Sequence, residues 1–253
     1  MKSRIALITG ATSGIGYETA LIFAQNNFNL ILTGRRNDRL EQLKVKIESN
    51  HQCDVLILNF DIRDKDQTLK ALNDLPEPWK SVDVLLNNAG LAAGLAPINS
   101  AEIEDWENMI DTNVKGLLYV SRTVSQWMIK RKTGHIINLS SIAGKEAYPN
   151  GTVYCGTKHA VESISKAMRI ELVQHGIKVS MIAPGAVNTE FSMVRFNGDI
   201  EKVENVYKGF TPLSGKDVAE TILFMVTRPP HVNIDDILIM PSSQASARDI
   251  HRS

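Results

Sequence analysis

Seven short apolar runs alternate with helical patterns along this chain, and that alternation restricts its fold more than any other feature. The runs are RIALIT (4–9), NLILT (29–33), DVLILN (54–59), VDVLLN (82–87), HIINLS (135–140), KVSMIA (178–183) and DILIM (236–240). They are nearly continuous in apolar residues, whereas a strand with one wet face would alternate. Such strands suit a parallel sheet covered on both faces. Parallel neighbours need crossover connections. Helical patterns near 15–26, 38–49, 64–74, 102–130, 152–174 and 217–227 can supply them. The expectation is an α/β chain: a Rossmann-type doubly wound sheet of about seven parallel strands with helices on both faces.

No polar linker, repeat or low-complexity stretch divides the sequence, so residues 1–253 read as one domain. Residues 185–213 break the rhythm and carry no obvious helix or strand. They follow the carboxyl end of a strand, where open α/β sheets bind ligands, and are expected to form a substrate lid.

The totals narrow the function. Lys plus Arg and Asp plus Glu each number 28, so no global field favours nucleic acid or an anionic membrane. The two cysteines, Cys53 and Cys155, suggest neither a disulfide framework nor a metal site. The apolar run before Thr9 is too short for a signal-peptide core or a membrane span. A cytoplasmic enzyme acting on a small molecule is expected, with no metal, nucleic acid or membrane partner.

Two stretches carry chemistry. TGATSGIG (Thr9–Gly16) closes the first run and opens a helix. Gly10, Gly14 and Gly16 permit a tight turn and close backbone approach, with Thr12, Ser13 and Ile15 in the same turn. The helix start then offers free N–H groups and a positive dipole end to a phosphate. The plainer reading is a turn beside a helix cap. In VYCGTKHA, Tyr154 and Lys158 stand four apart, so they share one helix face. A free tyrosine has a pKa of about 10, too high for a base near neutrality. A cation one turn away favours the phenolate. Lys158 is therefore expected to tune Tyr154 as a general acid/base. The plainer reading is a half-buried tyrosine beside a snorkelling lysine.

More positions fall into register. Ser141 lies thirteen residues before Tyr154, NNAG (Asn87–Gly90) follows the fourth strand, and Asn113 stands in DTNVKGLLY. With the Gly-x3-Gly-x-Gly turn and Tyr154-x3-Lys158, these resemble the short-chain dehydrogenase/reductase family. The resemblance covers nearly the whole chain. It implies a catalytic set of Asn113, Ser141, Tyr154 and Lys158. Ser141 would hydrogen-bond the substrate oxygen, Lys158 would also hold the nicotinamide ribose, and Asn113 would hold a water linking Lys158 to solvent. It further implies that Asp61 and Ile62 flank the adenine, and that Asn88, Ala89 and Gly90 lie beside the cofactor. In APGAVNT, Pro184 and Gly185 would turn beneath the carboxamide, with Val187 and Thr189 reaching it or the diphosphate.

After the second strand the family carries the residue that meets the adenosine ribose. An acidic side chain there would bind the 2′-hydroxyl of NAD. This sequence has Arg35 and Arg36, whose forked guanidiniums suit a 2′-phosphate. NADP is the expected cofactor, although Asp38 tempers the preference. The family's long helices commonly pair between subunits, so the patterns at 102–130 and 152–174 imply a homotetramer. The polar stretch SSQASARDIHRS would reach a neighbouring subunit or fray.

Within the family, GRRNDRL, EDWENMIDTNVKGLLY, TEFSMVRFNGD and PPHVNIDDILIMPSSQ resemble the NADP-dependent 3-hydroxy acid dehydrogenases. That group includes serine and L-allo-threonine dehydrogenases and malonic semialdehyde reductases. PGAVNTEF is a residue shorter than in that group, so the lid is where this chain departs from it. Arg195, in SMVRF, is a candidate anchor for a substrate carboxylate; otherwise it is a solvated arginine or pairs with Asp199 or Glu190. Phe191 and Tyr148 are candidate pocket walls. The alternative functions are a broad carbonyl reductase for neutral ketones or diketones, and a non-catalytic NADP-sensing protein. The intact set of four catalytic positions argues against the last.

Overall fold

The computed structural model describes residues 3–196 and 198–253. Its strands are β1 (Arg4–Thr9), β2 (Phe28–Gly34), β3 (Val55–Asn59), β4 (Val82–Asn87), β5 (Gly134–Leu139), β6 (Ile177–Pro184), β7 (Val187–Asn188), β8 (Leu213–Ser214) and β9 (Asp236–Ile239). Seven of them form one parallel sheet in the order β3-β2-β1-β4-β5-β6-β9. These are the seven apolar runs, so the chain has the Rossmann-type α/β fold.

The apolar runs work because both faces of the sheet are covered. Along β1, Ala6 and Ile8 point into one core with Phe23, Leu40, Leu43 and Ile222. Ile5 and Leu7 point into the other, with Leu72, Val120, Val124 and Met128. Fully burying each large aliphatic side chain contributes about 1.5–3 kcal/mol, so the two layers supply most of the driving force. The first layer is made by α1 (Gly14–Gln25), α2 (Asn37–Asn50) and, late in the chain, α9 (Gly215–Val226). The second is made by α3 (Lys65–Asn73), α5 (Leu117–Arg131) and α6 (Thr152–Leu172). In α2 the buried residues Leu40, Leu43 and Ile47 recur at helical spacing, which turns one stripe to the sheet. At the start of α9, Ser214 and Asp217 form a reciprocal capping box that fixes where the helix begins.

Strand order reverses between β1 and β4, and their carboxyl ends diverge into a crevice there. Two expectations are corrected nearby. The helix expected over 102–130 is two helices, α4 (Ile103–Ile110) and α5, joined by a wider π-helical turn at Asp111–Gly116. Its apolar spacing continues across the junction, so periodicity alone did not show the break. Residues 185–213 do contain regular structure: β7 pairs with β8, and α7 (Phe191–Arg195) and α8 (Ile200–Tyr207) lie between them. Asp199 caps α8 by accepting from the Lys202 N–H, and Ile200, Val203 and Tyr207 keep helical spacing. Of this segment, Asn197 lies outside the described residues. Among the described residues no helix is long and apolar enough to cross a membrane.

Candidate active site

A cleft of about 790 Å³ opens over the switch point. Its floor begins at the glycine turn. Gly10 has φ +68° and Gly14 has φ +56°, the left-handed region that glycine enters without strain. A Cβ on Gly10 would sit 2.9 Å from Ala89 Cα, so a larger residue would push the two loops apart. They are stapled by side chains. Thr9 Oγ1 accepts from the Asn88 and Ala89 N–H groups, each at 3.0 Å. Asn88 Nδ2 donates to Thr9 O at 2.8 Å and Gly10 O at 3.0 Å. The N-terminus of α1 has no side-chain cap and no acid in its first turn. Its free N–H groups therefore face the cleft without a competing carboxylate of their own helix.

At one end of the cleft lies a basic rim. Arg36 donates to Thr12 Oγ1 at 2.8 Å and to Ser13 Oγ at 2.9 Å, which fixes the guanidinium beside the glycine turn. Arg35 is exposed, 3.9 Å from Asp61. Burial pushes the Asp61 carboxyl up, but hydrogen bonds from Arg63 and the charge of Arg35 outweigh it and hold the group below its ordinary range. Sequence reasoning missed two members of this rim. Arg39 and Glu190 form an ion pair at 2.6 Å, and Glu190 also pairs with Arg36 at 2.9 Å. Arg39 was visible as the third cation of GRRNDRL; nothing local marked Glu190.

At the other end stand the candidate catalytic groups. Tyr154 is buried in a small cluster with Ala143, Cys155 and Met109, and its ring lies 5.7 Å from that of Phe191. Burial raises its phenol above the ordinary tyrosine range. Tyr148 adds to the rise, while the Ser141 hydroxyl and the Arg195 guanidinium pull the other way. Lys158 is 4% exposed, and burial pushes its ammonium down to about 8. Its Nζ donates to Leu139 O at 2.9 Å and stands 6.0 Å from the Tyr154 ring. Burial is thus the largest influence on the phenol, outweighing the Ser141 hydroxyl and the Arg195 guanidinium.

Arg195, at the end of α7, reaches across the mouth. Its Nη2 donates to Tyr148 Oη at 3.2 Å, and its Cζ lies 5.7 Å from the ring centres of both Tyr148 and Tyr154. Glu190, one of its two candidate partners in sequence, turns to the arginine rim instead. The other, Asp199, pairs with Lys202.

The expected site residues line this one cleft, with two exceptions. Gly16 lies beneath the Asn88 amide, where a Cβ would approach it to 2.4 Å. Asn113, in the π-helical turn, is 1% exposed behind Leu91. Its amide clasps the Leu91 N–H and C=O, both at 2.8 Å, and donates to Thr157 Oγ1 at 3.1 Å. The cleft also takes residues that sequence patterning did not mark. Gln244, Ala247 and Ile250 line it from the stretch expected to fray or leave the subunit.

Charge is unevenly spread along the cleft. Among the described lining residues the acids are Asp61 and Glu190, and both are paired to arginines at the basic rim. The cations at the Tyr154 end are Lys158 and Arg195. Among the described residues no cluster of three or more His, Cys, Asp or Glu could hold a metal. The arrangement can cradle a phosphate at α1, take a second anion at the arginine rim, and move a proton at Tyr154 beside a cationic side chain.

Comparison with known proteins agrees with this geometry. Residues 4–199 match the family model for short chain dehydrogenases. The chain is 45% identical over 248 residues to a probable NADP-dependent dehydrogenase of Haemophilus influenzae, covering 98% of this chain and 97% of that one. It is 44% identical over 251 residues to the NADP-dependent 3-hydroxy acid dehydrogenase of Salmonella typhi, covering 98% of this chain and all (100%) of that one. Among solved structures, the closed form of a serine dehydrogenase complexed with NADP+ superposes with a TM-score of 0.92 at 42% identity, covering 98% of this chain and 100% of that one. This chain belongs to the short chain dehydrogenase family.

Proposed function

We propose that this chain is an NADP-dependent oxidoreductase that transfers a hydride between the nicotinamide and a short 3-hydroxy acid or its 3-oxo partner. Serine, allo-threonine and 3-hydroxypropionate are the substrate types. The observation that carries the reading is the charge pattern of the cleft, whose Tyr154 end has two cations and no acid among its described residues. A substrate carboxylate fits there, and a neutral diketone would leave Arg195 without an anionic partner. The relatives named as 3-hydroxy acid and serine dehydrogenases support the same substrate class.

The residues fit NADP. The uncapped start of α1 suits the diphosphate, and the Gly10 and Gly14 turn leaves room for it. Arg35 and Arg36 would hold the 2′-phosphate through charge-assisted hydrogen bonds. Asp61 and Ile62 would flank the adenine. Asn88, Ala89 and Gly90 would line the inner wall, and Pro184, Gly185, Val187 and Thr189 the carboxamide side. When bound, the nicotinamide supplies or accepts the hydride at the substrate carbon.

Tyr154 exchanges the proton with the substrate oxygen. Burial keeps the phenol protonated, so the proton is in place for the carbonyl, and a cation beside it is needed to make the phenol give that proton up. Ser141 hydrogen-bonds the same oxygen and stabilises charge as it develops there. Lys158 stands within the same pocket to hold the ribose hydroxyls and, charged below about pH 8, to favour the phenolate. Asn113 holds the Leu91 backbone, and with it the wall of the cleft beside Lys158. Arg195 receives the carboxylate and orients the carbon for hydride transfer.

We place the single domain of residues 1–253 in a cytoplasmic homotetramer. Exposed apolar side chains stand on several elements, among them Leu118 on α5, Ile170 on α6, Phe224 on α9 and Leu238 on β9. Apolar surface spread over more than one element suits an assembly with more than one interface.

The test is steady-state kinetics with L-serine, L-allo-threonine and 3-hydroxypropionate under NADP and NAD, beside a neutral diketone. Turnover of the acids with NADP is the expected outcome. In Arg195→Ala, KM for the acids should rise about tenfold or more while that for the diketone changes little. Equal effects on both would remove Arg195 as the anchor.

A further inference from the structure

The basic rim is already engaged by a carboxylate. Glu190 stands at the start of α7, more than 150 positions along the chain from Arg36. Its Oε2 lies 2.9 Å from Arg36 Nη1. Its two oxygens lie 2.6 and 2.8 Å from Arg39 Nη1. One carboxylate thus holds two guanidiniums, and one of them is already fixed on Thr12 and Ser13 beside the glycine turn. Arg36 and Glu190 both line the cleft, so the contact joins two distant segments of the chain there. Glu190 also borders a second groove of about 450 Å³, with Arg39, Lys46 and Tyr17.

We propose that Glu190 is a carboxylate stand-in for the cofactor's 2′-phosphate, a residue that sets NADP affinity and ties it to the position of the lid. This rests on the reading that Arg35 and Arg36 receive that phosphate. A phosphomonoester and a carboxylate compete for the same forked donors. The dianion outcompetes the single charge, so a 2′-phosphate that draws Arg36 and then Arg39 to itself releases Glu190 and with it the start of α7. Arg195 lies on the same short helix, five residues on. Binding at the adenosine end is thereby coupled to the segment that carries the carboxylate anchor. NAD, which lacks the 2′-phosphate, leaves the contact in place. The ion pairs are 39–44% exposed, which makes them weak enough to be displaced.

The experiment is calorimetric titration of the ligand-free full chain with adenosine 2′,5′-bisphosphate, NADP+ and NAD+. Wild type, Glu190→Gln and Arg36→Gln are compared. Glu190→Gln keeps shape and removes the charge, so it should bind the bisphosphate and NADP+ about three- to tenfold tighter. Its affinity for NAD+ should change less than about twofold. Hydrogen exchange of residues 190–207 gives a second readout. The bisphosphate should raise exchange there in wild type, and Glu190→Gln should start raised and respond no further. If wild type prefers NADP+ over NAD+, and Arg36→Gln loses that preference, the cofactor reading stands. Unchanged or weaker bisphosphate binding by Glu190→Gln then overturns the stand-in alone. Equal affinity of wild type for NADP+ and NAD+ overturns both.

Discussion

Lys158 is 4% exposed with one hydrogen bond, to Leu139 O, and its pKa of about 8 lies below the ordinary 10.5. Below pH 8 the side chain is charged in both folded and unfolded chains, and its burial opposes folding in full. Between about 8 and 10.5 the folded chain has shed the proton while the unfolded chain keeps it, so stability rises with pH in that window. Above it the penalty is gone. Tyr154 has the opposite sign, but its raised pKa costs stability only where an unfolded tyrosine ionises, above about 10. Urea unfolding of ligand-free wild type and Lys158→Met, compared between about pH 7.5 and 9.5, isolates the lysine. Wild type should gain about 2 kcal/mol on the variant over that range. Parallel curves would mean that Lys158 is not held in a desolvated site. Tyr154 and Lys158 were legible because they share one helix with a fixed repeat, whereas Ser141 lies in the loop after β5 and was marked only by the family spacing. The electrostatic balance among them was not legible, because burial depends on what distant segments cover.

The break between α4 and α5 shows what periodicity misses at the scale of an element. Apolar residues continue at helical spacing on both sides of Asp111–Gly116, so the extra residue of the π-helical turn leaves no mark in the sequence. The turn brings Asn113 to the backbone of Leu91, and it is the buried Asn113 amide that satisfies both polar groups of that residue. In Asn113→Ala the Leu91 N–H and C=O lose these partners beside the cleft. Leaving them unpaired should cost about 2–4 kcal/mol. The variant's urea midpoint should fall accordingly, and kcat should fall with it because Leu91 lines the site. A midpoint within error of wild type would show that Leu91 finds other partners and that the clasp is dispensable. The lid offers a contrasting case. Asp199 as a cap, followed by Ile200, Val203 and Tyr207, was a readable helix signal for α8. It was overlooked because the segment also carries three turn-prone residues just before it, Asn197, Gly198 and Asp199.

Across the whole molecule, a parallel sheet with two covered faces follows from the apolar runs and their helical crossovers, so the sequence pattern carries the layering, while the strand order was left open. The path of residues 241–253 does not follow from any such rule. This stretch is polar and lacks periodicity, yet it folds back over the mouth of the cleft. Gln244 Oε1 accepts from the Ala186 N–H at 2.8 Å, and the Ala247 N–H donates to Glu146 at 2.8 Å. Arg252 donates to Val206 O at 3.1 Å and also to Lys208 O, satisfying carbonyls at the end of α8. Ser253 N donates to Gly209 O at 2.8 Å. The stretch thus bridges the loop after Ser141 to the lid. None of these contacts involves Arg35, Arg36 or Arg39 of the basic rim, so their loss should separate the two halves of the site. A variant ending at Ala247 removes the Arg252 and Ser253 ties and keeps Gln244. Its α8 carbonyls return to water and the lid is less well held. KM for the hydroxy acid should rise about three- to tenfold, while calorimetric affinity for NADP+ stays within about twofold. An unchanged KM would show that the lid holds its position without this strap. A matching loss of NADP+ affinity would show that the strap supports the whole cleft and not its substrate end alone.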